Sequence, residues 1–187
     1  MRKSRLWWVA SAVLTLGHFP AYADMIAKSS DGSLELTLPN GWHDVKPDGP
    51  TTKIAATNGH GARVVVRVYP KEDFKDAKAV ANFSITKLKL SDDEGVKFED
   101  VQVGGKSAVR ASVLGTQASG MRAGYLVTVV DNENMYVEVM GRTDASSFAK
   151  ETPALIAFGS ALKAATTPAA SAAPSAAAAS PAAKPKN

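Results

Sequence analysis

The sequence predicts an α+β domain, an antiparallel β-sheet with helices packed on it. Three observations carry that expectation. Two pairs of β-branched, apolar runs are each joined by a short polar or glycine turn, the pattern of successive hairpins. Ahead of them, the spacing of apolar residues changes from the period of a strand to that of a helix. A long amphipathic stretch then closes the patterned region. An order of this kind buries its apolar faces by laying helices on the sheet.

The chain opens on Arg2, Lys3 and Arg5, then an uncharged apolar run over residues 6–17, then Ala21-Tyr22-Ala23. Basic, apolar, small-x-small is the order of a cleavable secretory signal. The apolar run is about 12 residues long, whereas a membrane-spanning helix needs about 20. Residues 1–23 therefore read as a signal peptide cut between Ala23 and Asp24; the alternative is an uncleaved anchor. The product is expected to be periplasmic or secreted, without a stable membrane span. The sequence has no cysteine, so neither an acylated-cysteine tether nor a disulfide is expected.

Residues 24–164 read as a single domain, large enough to bury roughly two thirds of its unfolded surface. Leu34-Glu35-Leu36-Thr37-Leu38 alternates strictly and reads as a half-buried strand, ended by the turn residues Pro39-Asn40-Gly41. Residues 53–57 give a weaker strand and residues 62–69 a strongly β-branched one. Ala77, Val80, Ala81, Ser84, Ile85 and Leu88 then fall at helical spacing behind Asp73, predicting a helix over 74–90 capped by that aspartate. Strands are expected over 96–103 and 106–114 around Gly104-Gly105, and over 121–130 and 135–141 around Asp131-Asn132-Glu133-Asn134. In the last strand Met135, Val137 and Val139 alternate with Tyr136, Glu138 and Met140. A final helix is expected over 144–164. Pro153 either kinks it, or sits in the first turn of a second segment capped by Thr152. Residues 165–187 are nearly all Ala, Pro, Ser and Thr, with Pro168, Pro174, Pro181 and Pro185 interrupting any helix. They read as a disordered tail, either plainly solvated or serving as a spacer or weak envelope attachment.

The whole chain has 22 Lys and Arg against 18 Asp and Glu, a net charge of +4. Three of those basic residues belong to the signal, leaving 19 against 18. Lys184 and Lys186 belong to the tail, so the folded part holds 17 against 18. A near-neutral domain has no electrostatic footprint for nucleic acid.

No catalytic or metal motif is present. The histidines after the signal, His43 and His60, have no dense ligand spacing around them, and no Gly-x-Ser-x-Gly turn exposes a nucleophile. Asp92-Asp93-Glu94 and Asp131-Asn132-Glu133-Asn134 lack the spaced oxygens of a calcium loop. No catalytic residue, cofactor or metal ligand is therefore assigned. Arg63, Arg67 and Tyr69 point to one face of one strand and form either a polar recognition strip or that strand's solvated side. Trp42 lines a partner-binding surface or packs into the core.

Two stretches carry a family likeness. One is the opening strand with Leu38-Pro39-Asn40-Gly41-Trp42. The other runs from Tyr136-Val137-Glu138-Val139 through Thr143-Asp144, Phe148 and Pro153 to Phe158-Gly159-Ser160-Ala161-Leu162. Together they resemble the PsbP-like superfamily, including its bacterial periplasmic DcrB-like proteins and Mog-type members, over roughly residues 31–164. The resemblance implies an α/β/α sandwich around an antiparallel sheet. It also implies an accessory or binding protein, with no catalytic set to carry over.

The function expected from all this is a non-enzymatic periplasmic accessory protein that binds an envelope protein through Trp42, Arg63, Arg67 and Tyr69. The alternatives are an enzyme whose site assembles only in the fold, and a small-ligand carrier with a closed apolar cavity. Mass spectrometry of the exported protein is expected to find Asp24 at its N-terminus; retention of Met1 would refute the cleavage.

Overall fold

The computed structural model describes residues 25–164. The expected signal peptide with its junction at Ala23 and Asp24, and the tail over 165–187, lie outside the described residues. Among the described residues, ten strands and two α-helices follow one another. The strands are β1 (Met25–Lys28), β2 (Leu34–Leu38), β3 (His43–Asp44), β4 (Thr52–Thr57), β5 (Arg63–Pro70), β6 (Lys97–Val103), β7 (Lys106–Thr116), β8 (Arg122–Asp131), β9 (Met135–Asp144) and β10 (Leu162–Ala164). The helices are α1 (Ala77–Lys87) and α2 (Phe148–Ala161).

Seven strands form one antiparallel sheet in the order β3-β4-β5-β9-β8-β7-β6. The two hairpins read from the sequence, β6–β7 and β8–β9, make up its larger half. A smaller sheet, β1-β2-β10, packs beside α2 on one face, and α1 covers part of the other. The α+β class and the layered sandwich are therefore as expected. The leucines of β2 are all buried while Glu35 and Thr37 are half-buried, as strict alternation dictates. Gly41, at φ 83°, completes the turn in which the Trp42 amide donates to the Pro39 carbonyl at 3.1 Å. That turn sends the indole back into the protein.

Four local expectations are corrected. The helix cap is Asp76, not Asp73: its Oδ1 accepts from the Ala79 amide at 2.7 Å. Phe74 adopts extended backbone and packs edge-on against Tyr69, with ring centroids 5.5 Å apart, so residues 71–73 form only a separate 3-10 turn. The last helix begins at Phe148, because β9 continues to Asp144, and ends at Ala161. Residues 162–164 extend as β10 because the edge of β2 offers them backbone partners. Within α2 the helix runs through Pro153, and Thr152 caps no second segment; its hydroxyl donates to the Phe148 carbonyl at 2.6 Å. Strands β1 and β3 were not legible, being short and without alternation.

Because α2 and the small sheet cover one face of the large sheet and α1 part of the other, its central strands are apolar on both sides. Toward α2 lie Val64, Val66, Leu126, Val137 and Val139, with Leu36, Leu38, Leu155 and Phe158 above them. Toward α1 lie Val65, Val127, Val129, Tyr136 and Met140, with Val80, Ala81 and Ile85 above them. Helix α2 approaches β8 and β9 closely enough that Gly124 and Gly141 lie directly beneath Phe148 and Leu155. A Cβ on Gly141 would stand 2.6 Å from Leu155 Cδ2 and 3.0 Å from Cδ1. Gly141→Ala is expected to lower the urea-unfolding free energy by about 1–3 kcal/mol through overpacking, read from the shifted midpoint at unchanged slope.

Candidate partner-binding face

Strands β5 and β9 pair so that Arg63 lies opposite Arg142, Val65 opposite Met140, Arg67 opposite Glu138, and Tyr69 opposite Tyr136. With a side-chain period of two, all eight project from the face that carries α1. Arg63, Arg67 and Tyr69 thus share a face as the sequence predicts. That face is only partly solvated, because α1 closes one end of it.

At the closed end Glu138 has no solvent exposure. Arg67 Nη1 donates to its Oε1 at 2.8 Å, and Ser84, reaching down from α1, donates to its Oε2. Arg67 also donates to the Met140 sulfur at 3.7 Å. The Tyr69 hydroxyl lies 3.4 Å from Ser84 Oγ, and its ring packs edge-on against Phe74 and Phe83. Burial raises the Glu138 carboxyl above the ordinary carboxylate range, against the opposing pull of Ser84 and Arg67. Burial likewise raises the Tyr69 phenol, helped by the nearby Glu138 charge. A hydroxyl beside a carboxylate could suggest a nucleophile. Ser84, however, is buried beneath α1 with no histidine in its network, so a substrate cannot reach it.

At the open end Arg63 and Arg142 are half-buried. Arg63 Nη2 is 3.2 Å from the exposed Asp48 carboxylate, and Arg142 Nη2 donates to the Met121 sulfur at 3.6 Å. The Nε of each arginine is buried without a hydrogen-bond partner. Tyr125, opposite Arg142 on β8, accepts from Gln117 Nε2 at 2.6 Å. Burial raises its phenol, and the Arg142 charge opposes that shift.

The residues expected to bind a partner therefore separate. Arg63 stands at the open end. Arg67 and Tyr69 are committed to the contacts beneath α1. Trp42 is buried at 7% exposure and packs its ring edge-on against Phe158, centroids 4.6 Å apart. Arg142, Glu138 and Ser84 were not read as site residues, although extending the alternation of β9 past Gly141 places Arg142 with Glu138. His43 lies on β3 and His60 in the turn between β4 and β5, and both are exposed. Among the described residues no three His, Asp or Glu side chains gather to hold a metal. The groove of about 550 Å³ between the start of α1 and the β6–β7 hairpin is open to solvent, unlike the closed cavity a carrier would need.

No family model and no curated protein matches the chain. Solved structures do. Cyanobacterial PsbP (CyanoP) from Synechocystis sp. PCC 6803 superposes with a TM-score of 0.54 at 13% identity, over 75% of this chain and 92% of that one. The fold is PsbP-like. LpqN of Mycobacterium tuberculosis, a protein involved in cell envelope biogenesis, superposes at TM-score 0.52 and 11% identity, over 75% of this chain and 89% of its own. A protein from Bacteroides thetaiotaomicron does so at 0.50 and 15%, over 75% and 49%. At such identities the likeness is one of fold.

Burial and pH are linked through Glu138. Its raised folded-state pKa means that the native state holds this proton more tightly than the unfolded chain. The resulting stabilisation is present below the ordinary glutamate range and is lost as pH rises through the folded value. The unfolding free energy of the wild type, measured in urea relative to Glu138→Gln, is expected to fall as pH rises above the ordinary glutamate range, about pH 4. A difference independent of pH would contradict the assignment.

Proposed function

We propose that this is an exported accessory protein of the cell envelope, periplasmic and without catalytic activity, related to the DcrB-like and Mog-type branch of the PsbP-like proteins. It binds an envelope protein through the open end of the β5–β9 face. One observation carries the reading. Arg63 and Arg142 stand together on a face that α1 leaves open, while the nearby groups that could do chemistry, Ser84 and Glu138, are sealed beneath the helix. Support also comes from the secretory pattern of residues 1–23 and from the envelope role of LpqN, which shares the fold. Among the described residues no helix is long and apolar enough to cross a membrane. An enzyme would need buried, mutually bonded groups around His43 or His60 in a deep pocket, and both histidines are exposed.

Photo-crosslinking in cells tests this. A crosslinker at Met121, which is exposed beside Arg142, is expected to capture a discrete envelope protein, whereas one at Glu133, at the far end of β9, is not. Background capture of bulk periplasmic proteins from both positions would sink the proposal.

A further inference from the structure

We infer that the Arg63–Arg142 pair is the recognition point for an acidic segment of the protein partner, whose carboxylates complete both guanidinium groups. This rests on the binding role proposed above and specifies its chemistry. The two arginines face each other directly across β5 and β9. Like charges in that relation destabilise a sheet unless something neutralises them. Within the protein little does. Among the described residues Arg142 forms no ion pair, and its guanidinium hydrogen-bonds only a thioether. Arg63 has Asp48, but that carboxylate is 65% exposed, and exposed pairs of this kind contribute about 0–1 kcal/mol. An incoming carboxylate can displace it at little cost.

Each Nε is buried, so an approaching carboxylate meets the two Nη atoms, which a planar guanidinium presents as a parallel fork that takes two hydrogen bonds. Both forks here start from strands of a rigid sheet, so little side-chain freedom remains to be lost on binding. Exposed Met121 borders the pair with apolar surface, as at the rim of a protein contact. The groove of about 550 Å³ lies elsewhere, at the α1–hairpin junction. A pair lying along a sheet face fits an extended acidic chain better than an enclosed small anion.

The test is a titration of the full exported chain, ¹⁵N-labelled and at low ionic strength, with hexaglutamate peptide. Inorganic phosphate and hexalysine serve as separate arms. The arginine Nε–H resonances of Arg63 and Arg142 are expected to shift saturably with hexaglutamate only. Arg142→Gln is expected to weaken that binding roughly tenfold or more, as loss of a charge-assisted hydrogen bond entails. Arg122→Gln, at an arginine paired with Glu94, should leave it unchanged. No saturable shift in the wild type overturns the inference, and so does equal weakening by Arg122→Gln. Equal shifts with phosphate also overturn it, identifying a small-anion site. The two readings fail separately. If the Met121 crosslink persists undiminished in Arg63→Gln/Arg142→Gln, the protein binds a partner here but not through acidic recognition. If no crosslink forms at all, the binding role itself is wrong.

Discussion

Strand β9 enters the seven-stranded sheet between β5 and β8, and its register against β5 decides what each face carries. Val137, Val139 and Gly141 turn toward α2 and the small sheet; Tyr136, Glu138, Met140 and Arg142 turn toward α1. A slip of one residue would exchange the two sets. Glu138 would then enter the apolar layer formed by Leu155 and Phe158, and valines would face Ser84. An unpaired carboxylate in such a layer costs several kcal/mol, so one register is strongly preferred. Glu138 and Arg67 are thus better understood as a device that specifies register than as a source of net stability.

The same carboxylate places the helix. Ser84 donates to it from α1, while Tyr69, Phe74 and Phe83 form an edge-to-face trio at that end of the sheet. Lys87 lies over the Phe83 ring, 5.1 Å from its centroid, covering part of the exposed aromatic. Docked in this way, α1 closes the Tyr69–Glu138 end of the strip and leaves the Arg63–Arg142 end uncovered. The division between a buried structural cluster and an accessible charged pair therefore follows from one helix position. It also bears on why Arg142 has no carboxylate partner among the described residues: the one glutamate that β9 contributes to this face is bound to Arg67.

Sharing a sandwich with CyanoP and LpqN at 11–13% identity means that the constraint preserved between them is layered packing. A fold of this kind fixes where surfaces lie and leaves their chemistry to particular residues. In this chain the distinctive chemistry is cationic and local, although residues 24–165 carry 17 basic against 18 acidic groups. Net charge describes the domain; the β5–β9 register decides where positive charge gathers.

The sequence by itself determined the α+β class, the two central hairpins, the alternation of β2 and the placement of Arg63, Arg67 and Tyr69 on one face. These depend on side-chain period and turn chemistry, which act over a few residues. It could not determine strands β1, β3 and β10, because such short segments are held by distant backbone partners. The sequence pointed to Asp73 as the cap, and Asp76 takes that place because Phe74 packs in extended backbone on Tyr69. The packing of Trp42 depends on Phe158, which the fold brings to it from the far end of the domain. Only tertiary structure could set Arg142 opposite Arg63 and Ser84 above Glu138, because residues 54 to 79 positions apart in sequence meet only once the sheet closes and α1 docks.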